Sequence, residues 1–217
     1  RKLNRDWTAL VRNYYLLNNF GSATAKRYEN RFQLGFAYRD TDTNRVNTLF
    51  RYEYWRRRDP VLQAVADASA QPLSDGYLKH IASLVSDWHP NRNWWLTGRL
   101  AGKRQTDHFA GGDSRFRAWL AGGRITYGLS ERWDVSALAY RMWSPRINSQ
   151  NAFGAELGYL VTSNLWLSAG YNWAGFRDYD LAGSEYTSRG AYLRLRFKFD
   201  ERLFRGGDPS VNHTLDR

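Results

Sequence analysis

The sequence contains no cysteine and one methionine, and it lacks long apolar runs. Without cysteine the chain forms no disulfides, no thiolate nucleophile and no cysteine-ligated metal site. No stretch approaches the roughly 20 apolar residues that a membrane-spanning helix needs, so a helical membrane protein is excluded. A transmembrane β-barrel remains open, because only every second side chain of its strands faces lipid.

Aromatic residues and arginine are abundant instead. The chain has 10 Trp, 14 Tyr and 11 Phe, and its 32 Lys and Arg against 21 Asp and Glu give a net charge of +11. Most of these cations are Arg, which binds phosphate through two hydrogen bonds and stacks on aromatic rings. This composition predicts either anionic partners or an interior dense in ion pairs.

Alternation of apolar and polar residues predicts strands along most of the chain. Ten strands are predicted, over Trp7–Leu17, Asn30–Asp40, Asn47–Trp55, His80–Trp88, Trp94–Gln105, Phe116–Gly128, Trp133–Trp143, Asn151–Val161, Leu165–Trp173 and Gly190–Phe199. The pattern indicates an all-β fold, an antiparallel up-and-down transmembrane β-barrel of about ten strands, within a range of roughly 8–12. The barrel should span residues 1–204, and a polar tail should follow over 205–217.

The predicted connections alternate in length. Short turns such as "DTDTN" and "LSER" alternate with longer segments such as "TDHFAGGDS" and "RDYDLAGSEYTSR", and the longest loop lies over about 57–76. Outer-membrane barrels keep short turns on the periplasmic side, so both termini should be periplasmic. Within the longest loop, residues 60–70 have an Ala-rich pattern that a short helix could adopt, although a loop is favoured.

Tryptophan spacing gives an independent indication. Trp residues recur near both ends of several predicted strands, about 9–11 residues apart, which matches the length of a tilted transmembrane strand. The residues assigned to two aromatic girdles are Trp55, Trp94, Trp133, Trp143, Trp166 and Trp173.

The charged residues alternate with these apolar positions and should face the lumen, because a lipid-facing Arg costs roughly 2–4 kcal/mol near mid-membrane. The predicted lumen-facing charges are Arg31, Arg39, Arg51, Glu53, Arg99, Lys103, Arg124, Glu156, Arg194, Arg196 and Lys198. A barrel of this size holds little more than its own side chains, so an ion-paired interior is favoured over an open channel.

The segments "LGFAYRDTDTNRVNTLFRYEY" and "GYNWAGFRDYDL…YTSRGAYLRLRFKF" resemble the C-terminal outer-membrane β-barrel domain of large repeat-containing bacterial surface proteins. The resemblance implies a membrane anchor for a surface-exposed or partner protein, located in a bacterial outer membrane. It also implies a signal for the barrel-assembly machinery in the last strand, carried by Gly190, Leu193, Leu195, Phe197 and Phe199.

The predicted function is therefore that of a membrane anchor or structural module. The expected partners are outer-membrane lipid, lipopolysaccharide, the barrel-assembly machinery and an upstream passenger or partner surface protein. Rim arginines in "WRRRD" could hold lipopolysaccharide phosphates. A small pore and a hydrolase remain as alternatives, the latter with His80 or His108 as base beside a loop Asp. No cofactor, metal site or nucleic-acid partner is predicted, since the cations are dispersed through strands rather than gathered on one patch.

Overall fold

Ten β-strands run up and down in the order of the sequence, each paired antiparallel with the next. The computed structural model describes residues 1–19, 26–59, 75–109, 111–145, 147–162, 165–183 and 187–197. The elements are β1 (Trp7–Asn19), β2 (Lys26–Arg39), β3 (Val46–Arg58), β4 (Gly76–Trp88), β5 (Trp94–Phe109), β6 (Gly112–Gly128), β7 (Trp133–Ser144), β8 (Ile147–Thr162), β9 (Leu165–Ala174), α1 (Tyr179–Ala182) and β10 (Gly190–Phe197). The predicted all-β, ten-stranded up-and-down architecture is confirmed.

The two-residue period of the sequence separates an inner from an outer face. In β7, Ser136, Leu138 and Tyr140 are buried, whereas the residues between them are exposed. Successive side chains of a strand point to opposite faces, so an alternating sequence buries one face and leaves the other apolar and open. The outer face carries large apolar side chains such as Leu100 and Leu157, which are 56% and 47% exposed.

The sheet curls so that distant strands meet across its interior. The guanidinium of Arg196 in β10 lies 5.0 Å from the ring centroid of Trp95 in β5. Helix α1, which follows β9, contacts β4, β5 and β6. The inner face therefore encloses a lumen.

The sequence predicts a closed ladder of hydrogen bonds, but no pairing between β1 and β10 occurs among the described residues. Closing a barrel staggers the last strand against the first. The described part of β10 ends at Phe197, so residues that would face the beginning of β1 lie beyond the described range. The edges of β1 and β10 form a seam, along which Val11 is 67% and Leu193 is 77% exposed.

Several predicted long loops are strand instead. "TDHFAGGDS" contributes the end of β5 and the beginning of β6, and "SPRINSQ" contributes the beginning of β8. These strands continue because the ladder of backbone hydrogen bonds does not require an apolar face, so polar residues can extend it. Loop length is therefore a weak guide, although 17 residues separate β3 from β4 in the sequence and 15 separate β9 from β10.

No helix among the described residues is long and apolar enough to cross a membrane. The Ala-rich pattern at 60–70 and the predicted tail at 205–217 lie outside the described residues. Helix α1 lies instead in the connection between β9 and β10, where Asp178 caps it by accepting hydrogen bonds from the backbone N–H groups of Asp180 and Leu181 at 3.0 and 3.1 Å. An aspartate in this position stabilises a helix that is otherwise too short to form alone.

Candidate functional site in the barrel interior

The connection between β9 and β10, residues 175–189, folds inward and is called the plug loop; its described parts are 175–183 and 187–189. Its stem is fixed by two hydrogen bonds. Asn172 Nδ2 donates to the backbone oxygen of Ser188 at 2.9 Å, and Thr187 Oγ1 donates to that of Phe176 at 2.9 Å. Leu181 and Ala182 at the tip of the loop are 0% and 3% exposed. The loop thus reaches into the lumen rather than extending into solvent.

The tip of the plug loop is clamped to the opposite wall by lysine. Lys103 Nζ lies 2.8 Å from Asp178 Oδ2 and 3.1 Å from Asp180 Oδ2, and Lys79 Nζ lies 3.2 Å from the same Asp180 oxygen. Burial alone would raise the pKa of Asp180, but the two ammonium groups lower it below its ordinary value. The carboxylate of Asp180 is therefore held ionised between β4 and β5.

A backbone contact adds to this clamp. Arg99 Nη1 donates to the carbonyl oxygen of Leu181 at 3.3 Å. The adjacent Gly183 has a φ of 63°, and a Cβ at this position would lie 2.5 Å from Arg99 Nη1. The backbone conformation therefore favours glycine here, and a Cβ would also displace the end of the Arg99 side chain.

An apolar cluster receives the plug loop from the other side. Leu181, Ala182 and Phe176 pack with Leu120, Leu138 and other inner-face residues of β5–β8. The clustered residues of the wall are Ala101, Ala118, Leu120, Leu138, Tyr140 and Ala152. Sequence analysis predicted an interior filled mainly by charge, and the structure adds a hydrophobic core beneath the loop.

Glu53 is the centre of an ionic cluster on β2 and β3. Its carboxylate, 2% exposed, accepts from Arg31 Nε at 2.7 Å and from Gln33 Nε2 at 2.7 Å. The carboxylate is thus satisfied by two side chains of one neighbouring strand. Buried carboxylates are tolerated when paired and hydrogen-bonded in this way.

Glu156 is the centre of a second ionic cluster, which lies on β6, β8 and β10. Arg124 Nη1 lies 3.0 Å and Arg194 Nε 3.8 Å from Glu156 Oε2, which also accepts from the hydroxyl of Tyr192 at 2.9 Å. Glu156 and Arg124 are 6% and 8% exposed. The ring of Tyr192 covers Gly170 of β9, where a Cβ would lie 2.4 Å from the ring. One carboxylate therefore joins three strands, β6, β8 and β10.

Two of the six predicted girdle residues face the lumen, and their assignment is wrong. Trp55 lies between the cations of Arg31 and Lys79, at 4.6 and 5.0 Å from the ring centroid, and its Nε1 donates to Glu29. Trp166 is 8% exposed and lies under the guanidinium of Arg196. Both have the sequence parity of the inner face, and cation–π contact satisfies them there.

The other four predicted girdle residues lie on the outer face and are exposed. They are Trp94, Trp133, Trp143 and Trp173, with exposures of 41%, 45%, 40% and 53%. At the short-turn end, tryptophans at the beginning of a strand pair with tyrosines at the end of the next strand. The pairs are Trp7 with Tyr38, Trp94 with Tyr127 and Trp133 with Tyr159, with ring centroids 5.1, 4.8 and 4.7 Å apart. The spacing of tryptophans gives no sign of these tyrosines, although each lies near the end of a predicted strand.

The remaining predicted positions are placed as follows. Arg39 and Arg51 share the inner-face parity of Glu53, and Arg39 is exposed near the short-turn end. In β10, Gly190 begins the strand with a φ of 122°, and Leu193 and Leu195 point outward with exposures of 77% and 68%. Phe197 is the last residue of the described strand, while Lys198 and Phe199 lie outside the described residues.

The two histidines considered for hydrolysis lie on the outer face rather than in the lumen. His80 Nδ1 is 2.8 Å from the hydroxyl of Tyr52, and His108 Nδ1 is 2.7 Å from Asp113 Oδ1. The His108–Asp113 pair has the distance that a catalytic dyad requires. Its side chains are 43% and 45% exposed, however, and it joins β5 to β6 directly across the ladder. This geometry is that of a surface hydrogen bond between two strands.

No family model matches this chain, and no curated protein is significantly similar to it in sequence. Two crystal structures of the toluene transporter TodX of Pseudomonas putida are similar in structure. One has 12% identity and a TM-score of 0.45 over 82% of this chain and 62% of TodX; the other has 14% identity and a TM-score of 0.43 over 91% and 70%. The chain thus spans about 62% of the length of TodX in the first of these comparisons.

Proposed function

We propose that the chain is an integral β-barrel of a bacterial outer membrane that acts as a membrane anchor or structural module. The supporting observation is an apolar outer face combined with an interior that a folded loop and ion pairs fill along β4–β10. Large apolar side chains remain exposed around the barrel, among them Leu100, Ile125, Leu157, Leu167 and Leu193. Soluble monomers rarely expose apolar surface on this scale, and hydrocarbon is the surrounding that such a face requires.

The aromatic residues support the same proposal. Exposed Trp and Tyr pairs at the short-turn end and exposed Trp119, Trp143 and Trp173 near the other end enclose the apolar residues. Such rings lie at the two membrane–water interfaces, where an amphipathic ring is half in hydrocarbon and half in water. The depth and tilt of the barrel in the membrane would be set by these two girdles of aromatic residues.

The filled lumen favours an anchor over an open pore. The plug loop is held by Lys79 and Lys103. Elsewhere the lumen contains the Glu156 cluster and the guanidinium of Arg196, which lies against the rings of Trp95 and Trp166. Among the described residues, these side chains bind one another across the lumen and narrow the space that is open to ions. In this proposal a passenger or partner is held by the barrel, and the outward Leu193 and Leu195 of β10 contribute to recognition by the assembly machinery.

The proposal is tested with purified protein refolded in detergent and transferred to planar bilayers. A folded barrel should migrate faster on an unboiled gel than on a boiled one, and the wild-type protein should show no stable conductance. A reporter domain fused at the N-terminus should remain with the membrane after urea extraction. Stable single-channel currents from the wild type would support a pore function instead of an anchor function. Loss of the reporter on extraction would contradict membrane integration.

A gated pore is a second candidate, favoured by the polar character of the clamp. Two lysines and two aspartates hold the tip of the plug loop without a covalent link. If the loop is a gate, Asp178→Asn combined with Asp180→Asn should open a conductance that the wild type lacks. If the same variant is silent while it remains folded on the gel, the loop is a permanent part of the interior.

A further inference from the structure

Three arginines form an exposed group on the outer face of β5 and β6, called the arginine triad: Arg104, Arg115 and Arg117. Arg104 and Arg117 stand directly opposite each other in the ladder. Side chains in such a pair have Cβ atoms about 4.5–5.5 Å apart, and like charges placed there destabilise a sheet. Arg115 is two residues from Arg117 and therefore points to the same face.

The triad has no counter-charge among the described residues. The side chains of Arg104, Arg115 and Arg117 form no ion pair or hydrogen bond with another described residue, and the nearby carboxylate of Asp113 is bound to His108. The inner-face arginines differ, since Arg31 and Arg124 each bind a buried glutamate. Outside the barrel, three cations are thus brought together where an anion from the surroundings could reach them.

The position of the triad relative to the aromatic ring identifies the surroundings. Trp119 follows Arg117 by two residues on the same face of β6, is 39% exposed, and covers Gly102 of β5. It stands directly opposite Trp143, which is 40% exposed. Tryptophans mark the boundary between hydrocarbon and headgroups. Since the triad lies beyond them toward the long loops, its guanidinium groups are at the level of the headgroups.

We propose that the arginine triad binds the phosphate groups of a phosphorylated glycolipid in the outer leaflet, as found in lipopolysaccharide. This inference rests on the proposed outer-membrane location. Guanidinium groups bind phosphate through two parallel hydrogen bonds, and one dianionic phosphate relieves the repulsion between Arg104 and Arg117. The acyl chains of the same lipid would pack on Trp119 and Leu100, so that a single molecule contacts both the charged and the apolar level.

A pair of double variants tests the triad. Arg104→Gln with Arg117→Gln removes two of its cations. Lys2→Gln with Arg132→Gln is the matched control, because it removes the same charge from exposed positions at the opposite, short-turn end of the strands. Binding of purified lipopolysaccharide to each refolded protein in detergent is measured at two salt concentrations. The triad variant should lose affinity by about tenfold or more, and the control by about twofold at most.

The form of the ligand separates the possible outcomes. Dephosphorylated lipopolysaccharide should bind the wild type weakly, with the affinity that phosphorylated lipopolysaccharide has for the triad variant. Millimolar inorganic phosphate should not compete with lipopolysaccharide for the wild type. Equal losses in both double variants would reduce the effect to net charge and overturn the inference, as would full competition by inorganic phosphate. A protein that does not shift on the unboiled gel contradicts the proposed barrel itself. A protein that shifts but binds phosphorylated and dephosphorylated lipid equally contradicts the triad alone.

Discussion

Lys103 Nζ and Asp178 Oδ2 lie 2.8 Å apart and join β5 to a loop that follows β9. The side chains are 8% and 12% exposed, and Lys103 also lies 3.1 Å from Asp180. A salt bridge this well shielded is costly to break on one side, because the remaining charge stays buried without a partner. The clamp therefore determines whether the plug loop stays in the lumen.

Lys103→Met should destabilise the closed arrangement by up to roughly 3–5 kcal/mol, because the shielded carboxylate of Asp178 loses its counter-charge and Asp180 keeps only Lys79. The expected results are a lower temperature for loss of the fast-migrating gel band and cleavage of the plug loop by added protease. Lys26→Met, at an exposed position at the beginning of β2, is the control and should leave both unchanged. Protease resistance equal to that of the wild type would show that the apolar cluster alone holds the loop.

The clamp should respond to acid. Because the pKa of Asp180 is lowered in the folded protein, its stabilising contribution is complete above the ordinary value of 3.8 and is lost as the pH falls below it, through the folded pKa. Protease sensitivity of the plug loop should thus be constant at neutral pH and increase only in strong acid. In Asp180→Asn the acid dependence should shrink. An opening already at pH 6 would point to a different group.

Glu156→Gln should be among the most destabilising substitutions in the interior. It leaves Arg124 and Arg194 facing a neutral amide, at an expected cost of roughly 3–5 kcal/mol. Tyr192→Phe removes one hydrogen bond to the same carboxylate and should cost about 1 kcal/mol. Urea unfolding in lipid vesicles measures both, with Glu131→Gln in an exposed turn as the control. Equal effects of Glu156→Gln and Glu131→Gln would exclude a central role for the cluster.

Trp166 and Trp133 should behave differently on truncation, although the sequence placed both in a girdle. Trp166→Ala removes an interior ring under Arg196 and should cost roughly 3–5 kcal/mol in detergent and in bilayers alike. Trp133→Ala removes an exposed ring paired with Tyr159, so its cost should be larger in bilayers than in detergent. Unfolding experiments in the two media decide this, and an identical dependence on the medium would contradict the assignment of the two faces.

The strands and their two faces could be predicted from the sequence because alternation is a local property. The same parity placed Glu53, Arg124 and Glu156 inside. The errors at Trp55 and Trp166 arose where the spacing of tryptophans was followed instead of their parity. The plug loop could not be predicted, because its contacts join residues such as Lys103 and Asp178, which are 75 positions apart. The triad was likewise hidden, since only the strand register reveals that Arg104 faces Arg117.

The seam between β1 and β10 has a consequence for how the chain can exist in a membrane. Residues 1–3 pair with the beginning of the β1 edge, where Ala9 binds Arg1 through its backbone. Beyond Ala9, the backbone N–H and C=O groups along the described edges of β1 and β10 have no partner strand. Water can satisfy such groups, whereas hydrocarbon leaves each at a cost of several kcal/mol. Joining of the two edges, or their pairing with further strands, must therefore be complete by the time the barrel is within the bilayer. Insertion and the final pairing step would then be one cooperative event. A chain that has not completed this pairing would remain at the membrane surface with an unpaired strand edge that could bind another strand.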